Sequence, residues 1–126
     1  MKPEEKDLLF KDLCARLPYH VRCKIWLEDG TTEEGPLDLQ HNYGDVLQDA
    51  FFYYDRIKDI KPYLRPMSSM TEEEREQIRD LWIDAHTKTH ATRLIDFFNK
   101  YHFDYRGLIP KNLALSTDEF NPYVED

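Results

Sequence analysis

The chain has 126 residues, of which 25 are acidic and 17 basic, and its formal net charge is −8. This length fits one domain that buries roughly two-thirds of its unfolded surface. Its 7 Phe, 8 Tyr and 2 Trp residues argue against an intrinsically disordered chain, and the acidic balance argues against a general polyanion-binding protein.

The first residues and the cysteines predict a soluble protein of the cytoplasm. Residues 1–7 are mostly charged and no apolar segment as long as the core of a signal peptide follows them, so we expect no signal peptide. The longest apolar run, at 50–54, is far shorter than the roughly 20 residues of a membrane span. Cys14 and Cys23 form no CxxC motif, and we expect two free thiols in a reducing compartment.

A helix is predicted over residues 3–17. Pro3 and the acidic residues that follow it favour a helix start. Apolar residues then recur at helical spacing, and Pro18 ends the pattern because a proline disfavours helix at the residue before it.

A strand is predicted directly after this helix. Apolar and polar side chains alternate over residues 21–27, which is typical of a strand with one buried face. A turn follows at Glu28–Gly30, and a short second strand is predicted over 37–40.

Residues 45–64 fit two patterns. Their apolar spacing permits a helix over 45–57, whereas the run Phe-Phe-Tyr-Tyr at 51–54 favours strands. We favour strands at 50–55 and 58–64. Pro62 restricts the second of these strands to an edge or to its end.

Two further helices are predicted in the second half of the chain. Overlapping capping boxes in residues 69–74 indicate a helix start. The apolar stripes that contain Ile78 and Leu94 differ in direction by about 160° on a helix of 100° per residue. We therefore expect a break within 86–89 and a second helix that runs to about Tyr101.

The order of these elements predicts an α+β fold. We expect an N-terminal helix, a small antiparallel sheet of three to four strands, and two C-terminal helices packed on one face of the sheet. Residues 1–115 are expected to form one globular domain, followed by an acidic and flexible tail over 116–126.

Seven of the eight excess negative charges fall in residues 1–40 and 116–126. Such charge keeps a protein soluble. A more specific interpretation is that it imitates nucleic-acid phosphates and occupies a basic protein. The candidate interaction residues are Glu28, Asp29, Glu33, Glu34, Asp118 and Glu119.

The segment 101–106 contains the one candidate acid–base pair, His102 with Asp104. The alternative is a helix end, where His102 complements the helix dipole and Asp104 pairs with Arg106 or caps a turn. The sequence has no phosphate-binding loop, Rossmann glycine pattern or nucleophile elbow.

His86 and His90 have the i, i+4 spacing with which two histidines on one helix face share a metal ion. The predicted helix break falls inside this pair, and we expect two exposed histidines beside a turn. We therefore expect no metal and no cofactor.

One patch of the sequence is both basic and aromatic, and it consists of Arg56, Lys58, Lys61, Tyr63 and Arg65. Such a patch could hold the backbone of single-stranded nucleic acid and stack its bases. Lysines also protect an edge strand from aggregation, and Asp55 and Asp59 cancel much of the charge.

Three segments are distinctive as units: LCARLPY at 13–19, IKPYLRPMSSMTEEE at 60–74 and NKYHFDYRGLIPK at 99–111. Together they resemble a family of small uncharacterised proteins of bacterial genomes and prophages. The resemblance covers about a third of the chain and implies a bacterial or phage accessory protein, without a catalytic residue. Residues 28–57 look less like the family.

The sequence therefore predicts a non-enzymatic accessory protein of bacterial or prophage origin that binds another protein. A specific version is an inhibitor of a host nucleic-acid-handling complex that uses the acidic loop or tail. Two alternatives stay open: a small enzyme centred on His102 and Asp104, and a weak nucleic-acid binder that uses residues 56–65. We expect no membrane partner.

Overall fold

The computed structural model describes residues 2–37, 57–83 and 88–124, without the side chains of residues 82, 83 and 88. In chain order these residues form helix α1 (Pro3–Arg16), strands β1 (Arg22–Leu27), β2 (Thr32–Pro36) and β3 (Ile57–Leu64), helices α2 (Glu72–Ile83) and α3 (Lys88–Lys100), and strand β4 (Leu115–Ser116). The protein therefore has the predicted α+β fold.

Helix α1 has the predicted limits. Pro3 occupies its first turn, where a missing N–H leaves no hydrogen bond unmade. A 3₁₀ turn at Leu17–Tyr19 contains Pro18 and ends the helix. Leu9 and Leu13 are fully buried, because residues four apart lie on the same face of a helix.

The sheet has the strand order β2-β1-β3-β4. Strand β1 is antiparallel to both of its neighbours, as predicted. Strand β4 is the exception, since it pairs parallel to β3 at Tyr63 and Leu64. The sheet is therefore mixed. Two helices and a turn connect β3 to β4, and a connection of this length allows parallel pairing, whereas a hairpin does not.

The second strand lies earlier than predicted. Strand β2 covers Thr32–Pro36, whereas the predicted strand at 37–40 consists of Leu37 and residues outside the described ones. Gly30 has a φ of 89° and permits the tight turn that precedes β2. Pairing with β1 places Glu33 opposite Ile25, so tertiary pairing overrides the low strand preference of glutamate.

The predicted strand at 58–64 is confirmed as β3. It is paired with β4 only beyond Pro62, which agrees with the missing N–H of that residue. The predicted strand at 50–55, and all but the last residue of the alternative helix at 45–57, lie outside the described residues. Residue 57 itself is in β3.

The two later helices are confirmed. The backbone N–H of Thr71 donates to Glu74 Oε1 at 2.9 Å, and that of Glu74 donates to Thr71 Oγ1 at 3.2 Å, so one predicted capping box starts α2. Helix α3 begins at Lys88, inside the segment where the break was predicted.

The described residues form two hydrophobic clusters. The first lies between α1 and the sheet and contains Leu9, Ile25 and Ile60. The second contains Ile78 of α2 and Phe98 of α3. Helix α1 therefore contributes to the cluster on the sheet, while α2 and α3 pack chiefly on each other. Among the described residues, no helix is long and apolar enough to cross a membrane.

The start of the predicted tail is packed against the sheet. The N–H of Thr117 donates to the carbonyl oxygen of Leu64 at 3.0 Å. The ring of Phe120 contacts that of Tyr63, with centroids 5.7 Å apart. Flexibility of residues 116–126 remains a prediction, but these contacts attach their described part to β3.

Candidate functional site

The turn after α3 contains the histidine that the sequence singles out. The N–H of Phe103 donates to Phe98 O at 2.8 Å and that of His102 donates to Asn99 O at 3.3 Å, which is the Schellman pattern of a helix end. His102 takes the left-handed position of this motif, with a φ of 66°. Glycine is usual there, and another residue costs about 1–2 kcal/mol.

The imidazole of His102 is packed rather than free. It stacks on the ring of Tyr123, with centroids 4.0 Å apart and planes 9° apart. Its Nδ1 atom is buried without a hydrogen-bond partner. Burial, together with the positive charges of Arg16 and Arg65, lowers the pKa of His102 to about 4. The ring is therefore neutral at pH 7.

Arg65 ties β3 to the start of α2. Its guanidinium forms two hydrogen bonds of 2.7 Å with the carboxylate of Glu74, and its carbon lies 4.1 Å from the ring centre of Phe103. The hydrogen bonds from Arg65 lower the pKa of Glu74 to about 2. This arginine is therefore neutralised within the fold.

The carboxylate of Asp104 caps the turn that follows it in the chain. Its Oδ1 accepts the N–H of Leu108 at 2.7 Å and its Oδ2 accepts the N–H of Ile109 at 2.9 Å. Both carboxylate oxygens are thus used, and neither is bonded to His102. Asp104 performs the turn-capping role that the sequence offered as the alternative to catalysis.

Arg106 pairs with Asp12 of α1, not with Asp104. Asp12 and Arg16 are fully buried and joined by two hydrogen bonds, of 2.8 and 3.1 Å. Arg16 also donates to the carbonyl oxygen of Phe103 at 2.6 Å. This network was not predicted, although an acid and a base four residues apart inside an apolar stripe were a signal for it.

Tyr123 fixes the C-terminal segment between two strands. Its hydroxyl accepts the N–H of Arg22 at 2.9 Å and donates to the carbonyl oxygen of Tyr63 at 2.7 Å. It therefore bridges β1 and β3 at the end of their ladder. Burial raises the pKa of the Tyr123 hydroxyl, which keeps it protonated and able to donate.

A cleft of about 430 Å³ lies beside His102, between the end of α3 and the C-terminal segment. Lys100 and Asp118 also line it. The hydroxyl of Ser69, another lining residue, donates to Pro66 O at 2.7 Å. Among the described side chains of this cleft, no nucleophile is hydrogen-bonded to His102.

The acidic hairpin, defined as Glu28–Glu34, is a fixed and exposed structure. Asp29 Oδ1 accepts the N–H of Thr31 at 2.9 Å and also its hydroxyl. These hydrogen bonds lower the pKa of Asp29, so the carboxylate stays ionised. Glu28 and Glu33 are exposed and form no ion pair with another described residue.

The other candidate interaction residues are arranged differently. Glu34 Oε1 accepts the hydroxyl of Tyr63 at 2.8 Å, so this carboxylate is used within the fold. Asp118 and Glu119 are exposed but follow β4, at the opposite edge of the sheet from β2. The length of β1, roughly 17 Å at 3.3 Å per residue, also separates the hairpin turn from the end of β3 where β4 pairs.

The basic and aromatic patch does not form one surface in the described part of the chain. Tyr63 is only 5% exposed and Arg65 is paired with Glu74. Lys58 and Lys61 line a second cleft, and Arg56 lies outside the described residues. Nucleic-acid binding by this set of residues stays a prediction.

The candidate metal pair is only half described, because His86 lies outside the described residues. His90 lies in α3. Within residues 2–37, 57–83 and 88–124, no group of three or more His, Cys, Asp and Glu side chains could hold a metal ion. Both cysteines are free thiols; Cys23 is buried and Cys14 is exposed.

Comparison of the chain with protein-family models, with curated proteins and with solved structures found no match.

Proposed function

We propose that this protein is a non-enzymatic accessory protein that binds a basic protein partner through its acidic hairpin. The partner we favour is a bacterial protein that handles nucleic acid, whose phosphate-binding surface the hairpin occupies. A bacterial or prophage origin belongs to the same proposal and rests on the sequence resemblance.

This proposal rests on the exposure and the unpaired charge of three carboxylates in the described part of the hairpin. Glu28, Asp29 and Glu33 are exposed and free of ion pairs with the other described residues. They project from a hairpin whose turn is fixed by Gly30 and by the hydrogen bonds from Thr31 to Asp29. A fixed array of negative charge attracts a basic surface with little ordering entropy to lose.

The hairpin is favoured over the C-terminal acids as the centre of the interaction. Asp118 and Glu119 lie at the opposite edge of the sheet, so one small basic surface would not contact both groups. The acids around the His102 turn are weaker candidates than the hairpin for binding a basic partner, because Asp104 and Asp12 are buried and hydrogen-bonded.

The test removes the three charges without changing their shape. The triple variant Glu28→Gln, Asp29→Asn, Glu33→Gln keeps an oxygen at position 29 for the Thr31 N–H. Immobilised protein is exposed to bacterial proteins that elute from a heparin column, and captured proteins are quantified by mass spectrometry. We expect at least one basic protein whose capture falls about tenfold or more with the triple variant, since each lost charge contact is worth of the order of 1 kcal/mol.

A matched control carries the same loss of charge elsewhere. Glu72, Glu73 and Glu76 are exposed on α2, and changing all three to Gln should leave capture unchanged. Both triple variants should keep the free energy of unfolding within about 0.5 kcal/mol per site. Equal capture by the hairpin variant and the unaltered chain, or an equal loss with the α2 variant, would contradict the proposal.

A further inference from the structure

The sheet has an outer face that points away from α1. Cys23, Ile25 and Ile60 belong to the cluster that contains the α1 residues Leu9 and Leu13. Side chains alternate along a strand, so Lys24 and Trp26 of β1 and Lys61 of β3 are on the other side. We call these three residues the outer-face triad.

Two positive charges of the triad are neighbours. Lys24 and Lys61 are direct cross-strand partners, a position in which like charges repel. Their Nζ atoms lie 5.4 and 5.7 Å from the ring centre of Trp26. The indole thus attracts both ammonium groups and keeps them on one small area.

The described acids of the outer face form no ion pair with these lysines. Glu34 is the β2 partner of Lys24, yet its carboxylate accepts the hydroxyl of Tyr63. Asp59 is the β3 partner of Trp26, and its Oδ1 accepts the N–H of Ile60 at 2.9 Å. Neither lysine forms an ion pair with a described residue.

The positive charge continues from the triad into a cleft of about 350 Å³. Lys61 Nζ donates to Asn112 Oδ1 at 3.1 Å, which fixes one end of the side chain. Lys58 and Lys111 line this cleft with Lys61, as do the acids Glu5 and Asp59. Three ammonium groups therefore face two carboxylates.

We propose that the outer-face triad binds single-stranded nucleic acid. A phosphate would bridge Lys24 and Lys61 and relieve their repulsion, and an adjacent base would pack on the indole of Trp26. A phosphodiester chain fits better than an acidic peptide because it carries a flat aromatic group beside each anion. The triad borders the acidic hairpin, since Trp26 pairs with Thr32 and Lys24 with Glu34. The two proposals nevertheless rest on different side chains, so each can fail without the other.

The test measures binding of a fluorescein-labelled oligothymidylate of about 12 nucleotides, which lies within the site sizes of single-strand binders. The double variant Lys24→Gln, Lys61→Gln should bind at least about tenfold more weakly at low salt. The slope of log K against log salt should fall in magnitude by about 0.7, since the two lysines share one phosphate and each phosphate contact on a single strand contributes about 0.7.

The matched control removes two exposed positive charges from α2. Arg75→Gln with Arg79→Gln should leave the affinity within about twofold, because this change lowers the net charge equally without touching the triad. In a Trp82→Phe background, oligothymidylate should also quench the fluorescence of Trp26. Circular dichroism checks that each variant remains folded.

Three results would overturn the proposal. The first is no binding of the oligonucleotide by the unaltered chain at low salt. The second is an equal loss of affinity in the α2 control. The third is equal competition by an oligoglutamate of the same charge, which would identify the triad as a site for acidic polypeptide instead.

Discussion

Two charge-rich turns of this protein use their acids in opposite ways. In the acidic hairpin, Glu28 and Glu33 face water and form no ion pair within the described part of the chain. In the turn after α3, Asp104 is buried and both of its oxygens accept backbone N–H groups. A dense run of charged residues therefore does not by itself indicate a site.

The physical difference between the two turns is their access to water. A carboxylate removed from water must be compensated by hydrogen bonds or by a cation, and in the turn after α3 two backbone N–H groups compensate Asp104. An exposed carboxylate has no such requirement, so the hairpin can keep its charge available. In this protein the buried acids Asp12 and Asp104 hold the fold together, whereas Glu28 and Glu33 are exposed and form no ion pair with a described residue.

The largest effect is expected from removing the buried acid of α1. Asp12→Ala would leave the fully buried Arg16 without its carboxylate and should lower the free energy of unfolding by roughly 3–5 kcal/mol. Urea denaturation measures this change. Asp7→Ala, an exposed change on the same helix, should stay within about 0.5 kcal/mol. Similar losses for the two variants would remove the distinction between buried and exposed acids.

A smaller loss is expected at Asp104. Asp104→Ala removes the acceptor for two N–H groups and should lower the free energy of unfolding by about 2–3 kcal/mol. Asp104→Asn keeps one oxygen and should lose less. Asp118→Ala serves as the exposed control in the same denaturation series. If Asp104→Ala unfolds like the unaltered chain, the capping role is wrong.

The smallest effect concerns the pH dependence at His102. Its pKa of about 4 in the folded state lies below the ordinary value of 6.5, so the unfolded state binds more protons between these values. Stability therefore rises with pH across this window. From pH 6.5 to 5 the unaltered chain should lose roughly 1.5 kcal/mol more than His102→Gln. Chemical denaturation at the two pH values measures the difference, and a loss of opposite sign would contradict the assigned protonation state.

Most of the fold could be predicted from local patterns. Prolines and capping residues fixed the limits of α1 and the start of α2, and alternation revealed β1. Strand β2 could not be predicted because its glutamates have low strand preference, and only pairing with β1 makes it a strand. The parallel pairing of β4 with β3 is a long-range contact of two residues, which no local pattern encodes.

The candidate site was predictable only in part. The sequence indicated that His102 ends a helix, but its partner Tyr123 is 21 residues further along the chain. The Asp12–Arg16 pair was visible as a spacing, whereas its burial depends on the turn whose Phe103 carbonyl oxygen accepts a hydrogen bond from Arg16. Charge and spacing can be read from a sequence, but the partner that neutralises a charge is set by tertiary structure.

The two hydrogen bonds of the Tyr123 hydroxyl bear on the order in which parts of the protein fold. It joins Arg22 to Tyr63, yet it is contributed by a residue 101 positions after Arg22. During synthesis β1 and β3 can meet before this hydroxyl exists, and until then the Arg22 N–H and the Tyr63 carbonyl oxygen lack this bridge. Contacts of such sequence separation form slowly, so completion of the sheet is expected to be the late step of folding, after the helices are in place.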